Sequence, residues 1–282
     1  MKCRFIDTGF NDAFTNMAID ETILQHCQIP TLRVYSWSPK AVSIGYNQNI
    51  IKEINLDYCK KNNIEIVRRL TGGKAVFHDR EITYSFIIPE KLNLLSNNIN
   101  ESYKEIANAL LIALEKVGLK AEIKKVPEKI ATPICFNSSN WYELLVNGRK
   151  ISGSAQRRFN GKVLQHGPIL IDFDYNKNNS IFNSDNDFDT RENLRFSVSW
   201  KSSISMTIEN LKQRITSLKR ELNKEISYRE LAEAIKLGFK ENFDFDIVDT
   251  SLTQEEIKLA EKLRKEKYST EEWNYRLLAK TI

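Results

Sequence analysis

The 282-residue sequence lacks any apolar run near the roughly 20 residues that a membrane-spanning helix needs, so we expect no membrane segment. Its first residues, MKCRFIDTGFNDAF, also lack the apolar core of a signal peptide, which favours a cytoplasmic protein. The composition, 41% hydrophobic and 28% charged, is ordinary for a soluble globular protein. A chain of this length can bury a sizeable core.

Cysteine is scarce, and no two cysteines have the CxxC spacing of a metal or redox motif. The four are Cys3, Cys27, Cys59 and Cys135. Their scatter argues against zinc ribbons and disulfide frameworks, and it fits a reducing compartment. We therefore expect no metal site.

A strong excess of charge of one sign is also absent. The formal net charge is +5, from 42 basic and 37 acidic residues. This excess is too small and too scattered to indicate nucleic-acid binding, but it favours an acidic protein partner.

The hydrophobic pattern predicts helices between groups of mostly adjacent strands. Predicted strands cover Cys3–Asp7, Leu32–Trp37, Ala41–Tyr46, Ile64–Arg68, Ala75–His78, Glu81–Ile88 and Val163–Asp172. Predicted helices cover Asn11–Cys27, where Asp20 interrupts an apolar stripe, Leu56–Asn62 and Glu101–Val117. This order predicts an α+β fold with a mixed β-sheet core flanked by helices, not a regular βαβ alternation.

The C-terminal part of the chain differs in character. Residues 175–190 are rich in Asn, Asp and Ser and predict a surface loop. Charged amphipathic helices follow from about Ser205, with capping-box patterns at Ser227 and Thr253 and one strand over Phe243–Val248. We expect a catalytic domain over residues 1–204 and a small helical C-terminal appendage over residues 205–282.

A β-hairpin is predicted around the Asn147-Gly148 dipeptide, the strongest short-range signal for such a turn. Its first strand would run over Trp141–Val146 and its returning strand over Arg149–Gln156. Because a hairpin folds the chain back on itself, residues before its first strand can lie near its second.

This hairpin can bring Cys135 close to Lys150. A nearby cation favours the thiolate form of cysteine, and a thiol beside an amine suggests acyl transfer through a thioester. The alternative is that Cys135 is a small buried hydrophobe and Lys150 a solvated strand residue. The loop-like surroundings of Cys135, between Pro133 and Asn137, and the small and apolar neighbours of Lys150 favour the functional interpretation.

Residues 68–78, RRLTGGKAVFH, join two predicted strands. Paired glycines let the backbone approach a ligand closely and expose N–H groups, and Arg69 and Lys74 would suit a phosphate or carboxylate. The alternative is a Gly-Gly turn with solvated charges, in which His78 is a core histidine. A second polar interruption, His166-Gly167, lies in the apolar strand Val163–Asp172 and indicates either close ligand approach or a bulge.

Three motifs together resemble the biotin/lipoate protein ligase superfamily in order and spacing. They are RRxxGGxAVxH at residues 68–78, GRKISGSAQ at 148–156 and QHG at 165–167. The CF pair at 135–136, WYEL at 141–144 and EWNYR at 272–276 resemble one branch of it, the Gram-positive-type octanoyltransferases that modify lipoyl domains. The resemblance implies a mixed sheet flanked by helices that holds an acyl tunnel.

The resemblance also implies roles. The residue that matches Cys135 carries an acyl-thioester intermediate, and the residue that matches Lys150 lowers the pKa of this cysteine and contacts the acyl carbonyl. The expected substrate-binding residues are Arg69, Gly72, Gly73, Lys74, Ala75, Val76, Phe77, His78, Ser152, Gly153, Ser154, Ala155, His166 and Gly167.

The implied reaction moves octanoyl from octanoyl-acyl carrier protein to a lysine of a lipoyl-carrier domain, such as the glycine cleavage H protein. No cofactor is expected, because the donor is already a thioester. A monomer is expected.

Three alternatives stay open: an ATP-dependent lipoate–protein ligase, an amidotransferase that moves octanoyl between lipoyl domains, and a catalytically silent binding module. In the ligase, Lys150 and the Arg69 segment would bind lipoyl-adenylate. Such ligases generally have a third glycine at the position of Lys74, no cysteine at that of Cys135 and an Asn-Asp pair where this chain has Trp141-Tyr142. These departures favour the transferase.

Overall fold

The computed structural model describes residues 1–124, 143–183 and 208–276. The strands are β1 Lys2–Asn11, β2 Thr31–Trp37, β3 Ala41–Ile44, β4 Glu65–Arg68, β5 Val76–His78, β6 Glu81–Pro89, β7 Glu122–Ile123, β8 Leu144–Val146, β9 Arg149–Ser152, β10 Ala155–Phe159, β11 Lys162–Leu170 and β12 Asp246–Asp249.

The α-helices are α1 Ala13–His26, α2 Ile50–Glu53, α3 Leu56–Lys61, α4 Ile99–Lys116, α5 Tyr175–Ile181, α6 Ile208–Arg214, α7 Leu218–Leu222, α8 Tyr228–Phe243, α9 Gln254–Leu263 and α10 Glu271–Tyr275. A 3₁₀ turn covers Glu90–Leu92 and a π-helical turn covers Arg264–Tyr268. No helix of the described ranges is long and apolar enough to cross a membrane.

The strands form two sheets. The large sheet has the order β12-β1-β2-β6-β11-β9-β8-β7, with β10 also paired to β11. Strand β1 runs parallel to both β12 and β2, whereas β6 and β11 pair antiparallel, so this sheet is mixed. The small sheet has the order β4-β3-β5. The predicted α+β fold with a mixed sheet is confirmed.

The predicted Asn-Gly hairpin is present, but its returning strand is shorter than expected. Asn147 and Gly148 have φ angles of 50° and 73°, the left-handed values that a tight hairpin turn requires. The predicted single strand over Arg149–Gln156 is wrong, because β9 ends at Ser152 and β10 begins at Ala155. Strand β9 pairs with β8 and meets β11 only where Ser152 opposes Ile169, whereas β10 pairs with β11 over its whole length, so the pairing of the chain changes at Gly153.

The helical C-terminal part is present, and it packs closely against the sheet. Strand β12 extends the large sheet beside β1, and the ring of Phe239 in α8 packs against that of Phe86 in β6, with 5.0 Å between centroids. The predicted strand Phe243–Val248 begins later, at Asp246, because Phe243 still belongs to α8. The expected boundary at residues 204–205 lies outside the described residues.

One expected loop contains a helix. Part of the polar segment 175–190 forms α5, since the Asp174 side chain accepts a hydrogen bond from the Lys177 backbone N–H and begins the helix. Ile181 at its other end is buried, which holds the short helix against the small sheet. Residues 184–190 lie outside the described residues.

Helix α8 approaches α4 at a glycine. A Cβ atom on Gly238 would lie 2.3 Å from the Ala109 carbonyl oxygen and 3.1 Å from the Ala113 Cβ. Only a residue without a side chain lets the two helices touch here, and their contact covers one face of the sheet.

Gly238→Ala should therefore destabilise the protein by about 1–3 kcal/mol, because the helices must separate or shift. Urea unfolding of the variant would measure this loss. Glu233→Ala, at an exposed position of the same helix, is the control and should stay within about 0.5 kcal/mol of the parent. Equal stability of the Gly238 variant would contradict the close helix contact.

Candidate active site

The glycine-rich loop between β4 and β5 is held in place by Arg69. Its Nη2 donates hydrogen bonds to the Gly72 and Lys74 carbonyl oxygens at 2.7 and 2.8 Å, and its Nη1 donates to the Ser43 carbonyl oxygen at 3.0 Å. Arg69 is buried. The guanidinium therefore fixes the shape of the loop.

Gly73 is needed in this loop for its backbone. Its φ of +84° is a left-handed value that disfavours a side chain, and its carbonyl oxygen lies where a Cβ on Gly45 would approach to 1.9 Å. Two glycines from neighbouring segments thus pack backbone to backbone. The paired-glycine pattern in the sequence has a structural cause as well as a place beside the cleft described below.

The adjacent Arg68 points to a different part of the chain. Its guanidinium is fully buried and donates to six backbone carbonyl oxygens, those of Gly45, Tyr46, Gln48, Trp273, Asn274 and Arg276, at 2.8–3.3 Å. Burial, together with the charge of Arg276, lowers the pKa of Arg68 to about 10. Trp273 returns a bond from its indole N–H to the Arg68 carbonyl oxygen at 2.8 Å. Arg68 thereby anchors the EWNYR segment.

Lys150 is a buried lysine with a buried carboxylate partner. The Lys150 Nζ lies 2.6 Å from Glu143 Oε1, and the two side chains are 3% and 4% exposed. The Lys150 Cε would lie 2.6 Å from a Cβ on Gly153, so the lysine stem passes directly against that glycine. An ion pair compensates each charge for its loss of water, and removing one partner would leave the other charge buried alone.

Cys135 lies outside the described residues, so its distance from Lys150 is not defined. The other three cysteines are all buried. Burial raises the pKa of Cys3 to about 12 and those of Cys27 and Cys59 to about 11. Their thiols stay protonated at neutral pH and make poor nucleophiles.

His166 belongs to a buried chain of polar groups. Its Nδ1 lies 3.0 Å from Asp20 Oδ2, and its Nε2 lies 2.7 Å from the Thr71 hydroxyl. Asp20 also binds Arg33 at 2.6 Å. Burial lowers the pKa of His166 despite its hydrogen bond to Asp20, so the imidazole is neutral at pH 7. Asp20, which interrupts an apolar helix stripe in the sequence, thus orients a histidine of the QHG motif.

His78 has a similar arrangement on the other side of the glycine-rich loop. Its Nδ1 lies 2.7 Å from Glu81 Oε1, and its Nε2 lies 2.8 Å from the Ser43 hydroxyl. The ring stacks on Trp37 with 3.9 Å between centroids. Both nitrogens have protein partners, which matches the interpretation of His78 as a satisfied buried histidine whose ring forms a wall.

A narrow cleft lies between these two histidines, with about 350 Å³ of empty space including its mouth. Eight of the expected site residues line it, namely Arg69, Val76, His78, Gly153, Ser154, Ala155, His166 and Gly167. Met17, Tyr35, Trp37 and Pro168 supply further apolar and aromatic wall. Such a lining suits a narrow apolar group, with Lys150 behind the Gly153 end.

The other expected site residues lie around the cleft. Gly72 and Gly73 border a neighbouring opening with Ser154 and Ala155, and Lys74 follows them in the same loop. Ala75 and Phe77 pack into the core of the small sheet, and Ser152 is buried beside Gly153.

Two residues of the site were not predicted from the sequence. The sequence places Glu143 in a predicted strand and in the WYEL pattern without a role of its own, although a carboxylate directly before the apolar run Leu144–Val146 is a polar residue at the edge of a core. Arg33 was assigned only to a predicted strand. It is buried, as are its two neighbours Leu32 and Val34. A charged residue in an otherwise apolar segment is the signal in both cases.

Comparison with known proteins gives a consistent result. Residues 12–240 match the model of the lipoyl protein ligase A/B catalytic domain. Octanoyltransferase LipM of Brevibacillus brevis is 38% identical, and that of Bacillus subtilis 35% identical, each over 97% of this chain and 98% of the relative.

Solved structures show the same fold. A lipoate-protein ligase A bound with ATP superposes with a TM-score of 0.78 at 26% identity, covering 99% of this chain and 100% of the other. A bipartite lipoate protein ligase of Thermoplasma acidophilum, studied with its E2 lipoyl domain, gives a TM-score of 0.77 at 26% identity, covering 100% and 98%. With its cleft, its buried lysine and these relatives, the chain belongs to the lipoyl protein ligase A/B catalytic domain family.

Proposed function

We propose that this chain is an octanoyltransferase of protein lipoylation. It takes octanoyl from octanoyl-acyl carrier protein and transfers it, through a thioester on Cys135, to a lysine of a lipoyl-carrier domain. The observation that carries the proposal is the likeness to octanoyltransferases LipM, at 35–38% identity over 97% of the chain. The ATP-bound ligase is more distant, at 26% identity.

The cleft is the proposed site of the octanoyl chain. Its wall of Met17, Trp37 and Pro168 removes methylenes from water, and each buried methylene contributes ~0.8 kcal/mol. Small residues, Gly153 and Ala155, leave room beside the chain at the end that faces Lys150. The thioester carbonyl would lie at this end.

The chemistry takes two balanced steps. The Cys135 thiolate attacks the thioester carbonyl carbon, a new C–S bond forms, and the pantetheine sulfur leaves and takes up the proton that Cys135 lost. The amine of the acceptor lysine then attacks the acyl-enzyme, a C–N bond forms, and the Cys135 sulfur leaves as a thiolate. The proton of the attacking amine is released to solvent.

Lys150 is proposed to make the first step possible at neutral pH. A free cysteine of pKa ~8.5 is only a few per cent thiolate at pH 7, and a nearby ammonium raises this fraction. The ion pair with Glu143 keeps a buried Lys150 charged and oriented. The same ammonium can stabilise the oxyanion that develops on the carbonyl.

A direct test is intact-mass spectrometry of the protein after mixing with octanoyl-acyl carrier protein in the absence of ATP. The transferase gains one octanoyl mass. A ligase would modify its acceptor only with ATP and free acid, and a silent binding module would gain no mass. An unmodified protein under these conditions would refute the proposal.

Cys135→Ser should abolish the octanoyl adduct, because serine is not ionised at neutral pH and cannot replace the thiolate. Intact mass and product formation on a lipoyl domain would measure this. Cys3→Ala, Cys27→Ala and Cys59→Ala are the controls and should keep most of the activity. Near-normal transfer by Cys135→Ala would rule out the thioester mechanism.

Replacing Lys150 should move the alkylation of Cys135 by iodoacetamide to higher pH, because loss of the ammonium raises the pKa of the thiol and lowers its thiolate fraction at each pH. Lys150→Ala leaves Glu143 buried without a cation. The double variant Lys150→Met/Glu143→Gln therefore serves as the folded comparison, and it should show the same shift. An alkylation profile equal to that of the parent would mean that Lys150 does not activate the thiol.

Ala155→Leu should shift the donor preference to shorter chains, because the larger side chain occupies the cleft and displaces methylenes worth ~0.8 kcal/mol each. Acyl-enzyme yields from butyryl and octanoyl carriers would be compared, and the octanoyl-to-butyryl ratio should fall roughly tenfold. The butyryl yield is the internal control for folding. Ala155 is a better position than Gly73, whose φ of +84° would strain any larger residue. An unchanged ratio would place the acyl chain elsewhere.

A further inference from the structure

A second groove lies beside the cleft, on the same side of the glycine-rich loop as Leu70. It contains about 600 Å³ of empty space including its mouth. Three aromatic residues, Tyr46, Phe159 and Trp273, form much of its lining. Phe159 is 43% exposed, so its ring is accessible to a partner that enters the groove.

Three cations lie against these aromatic rings, and one of them is Lys267, whose Nζ is 4.1 Å from the Trp273 ring centre. The Arg157 guanidinium is 4.8 Å from the Tyr46 ring centre and 5.1 Å from that of Phe159. Arg276 lies 4.2 Å from Tyr46 and 3.9 Å from Trp273. A guanidinium stacked on a ring is held rigidly and keeps N–H donors in its plane, which suits the recognition of phosphate or carboxylate.

The groove carries an excess of positive charge. Of the described residues that line it, Glu21 is the one carboxylate, and it is already bound by Lys267 Nζ and by the Tyr268 hydroxyl, each at 2.6 Å. Arg157, in the lining, and Arg276, which lies against the rings of Tyr46 and Trp273, add two further positive charges. Burial would raise the pKa of Tyr46, but its hydrogen bond with Arg276, together with the charges of Arg276 and Arg157, outweighs burial and lowers the pKa.

Strand β10 connects the groove to the cleft. Ala155, Arg157 and Phe159 alternate along one face of β10, and Ala155 lines the cleft. At about 3.4 Å per residue, Arg157 lies roughly 7 Å and Phe159 roughly 14 Å along the strand from Ala155. The Arg157 Nη1 also donates to the Leu70 carbonyl oxygen at 2.8 Å, next to the glycine-rich loop.

We propose that this groove docks the acyl-donor carrier protein: Arg157 and Arg276 bind the phosphate of its phosphopantetheine arm and the acidic surface around it, and Phe159 packs against that surface. The inference rests on the proposed octanoyl transfer, and it specifies where the donor binds.

The distance along β10 favours the donor over the acceptor. The donor holds its acyl group at the end of a long phosphopantetheine arm, so its phosphate must lie well away from the reacting carbon. The acceptor presents a lysine on a four-carbon stem, so its domain must come much closer to the cleft. Phe159, at the far end of the groove, lies roughly 14 Å along β10 from Ala155, beyond the reach of a four-carbon lysine stem, so the length of the groove suits the longer arm.

The test compares two donors, octanoyl-acyl carrier protein and octanoyl-pantetheine, which has neither phosphate nor protein. Initial rates of acyl-enzyme formation would be measured for Arg157→Gln, Phe159→Ala and Arg158→Gln. Arg158 is the next residue of β10 but points to the opposite face, where it pairs with Glu90 at 2.8 Å. It is therefore a control with the same change of charge.

The Arg157 variant should raise the KM for the carrier donor about tenfold, as expected for one lost contact with a charged group, and leave octanoyl-pantetheine within about twofold. Phe159→Ala should also raise the KM for the carrier donor. Arg158→Gln should change neither. Raised salt should increase the KM of the parent protein for the carrier donor but not for octanoyl-pantetheine.

Three results would overturn the docking site: equal KM changes for both donors, which would indicate a distorted cleft; an effect confined to transfer onto the lipoyl domain, which would assign the groove to the acceptor; or no effect of either groove variant. A parent protein that forms no acyl-enzyme with either donor would refute the proposed transferase function, and the docking site with it.

Discussion

The buried Arg68 guanidinium is the contact on which the arrangement of the site depends. Its hydrogen bonds go to carbonyl oxygens of two distant segments, 45–48 and 273–276. A charge in this position is stabilised by the summed dipoles of the peptide groups around it, and the carbonyl groups of Gly45 and Asn274, in buried residues, gain the donor that they need. The C-terminal segment and the loop after β3 are therefore held against each other by one side chain.

The neighbouring Arg69 extends this arrangement to the cleft. Because successive residues point to opposite sides of the chain, Arg68 binds the C-terminal segment while Arg69 binds the carbonyls of Gly72 and Lys74. Gly45 accepts from Arg68 and packs on Gly73. The aromatic groove, the glycine-rich loop and the cleft are thus linked by direct contacts. A displacement of Trp273 would therefore also displace the loop.

Much of this could be predicted from the sequence where the signal is local. The Asn-Gly hairpin, the amphipathic helix α4 and the mixed sheet follow from turn chemistry and periodicity. The motifs at 68–78, 148–156 and 165–167 identified residues of which eight line the cleft. Local pattern also indicated that Asp20 is unusual, though not that it orients His166.

The remaining features depend on contacts between residues far apart in the chain. Arg68 reaches Asn274 across 206 positions, which no local pattern encodes. The break of the expected strand at Gly153 follows from a close crossing, since a Cβ on Gly167 would lie 2.2 Å from the Gly153 carbonyl oxygen. The pairing of Lys150 with Glu143 was not predicted, because a charged residue beside an apolar run indicates burial but does not indicate which cation it will meet.

Side chains alternate between the two faces of β10, so the number of residues in this strand cannot change without moving side chains to the wrong face. Arg158 faces the Glu90 side of the sheet, while Arg157 faces Tyr46 and Phe159. Inserting or deleting one residue between Ala155 and Arg157 would exchange the two faces and turn Arg157 away from the groove, toward the Glu90 side. Insertions and deletions should therefore occur in the turn at residues 160–161 and not within the strand. The strand thereby keeps the distance between the cleft and the groove constant.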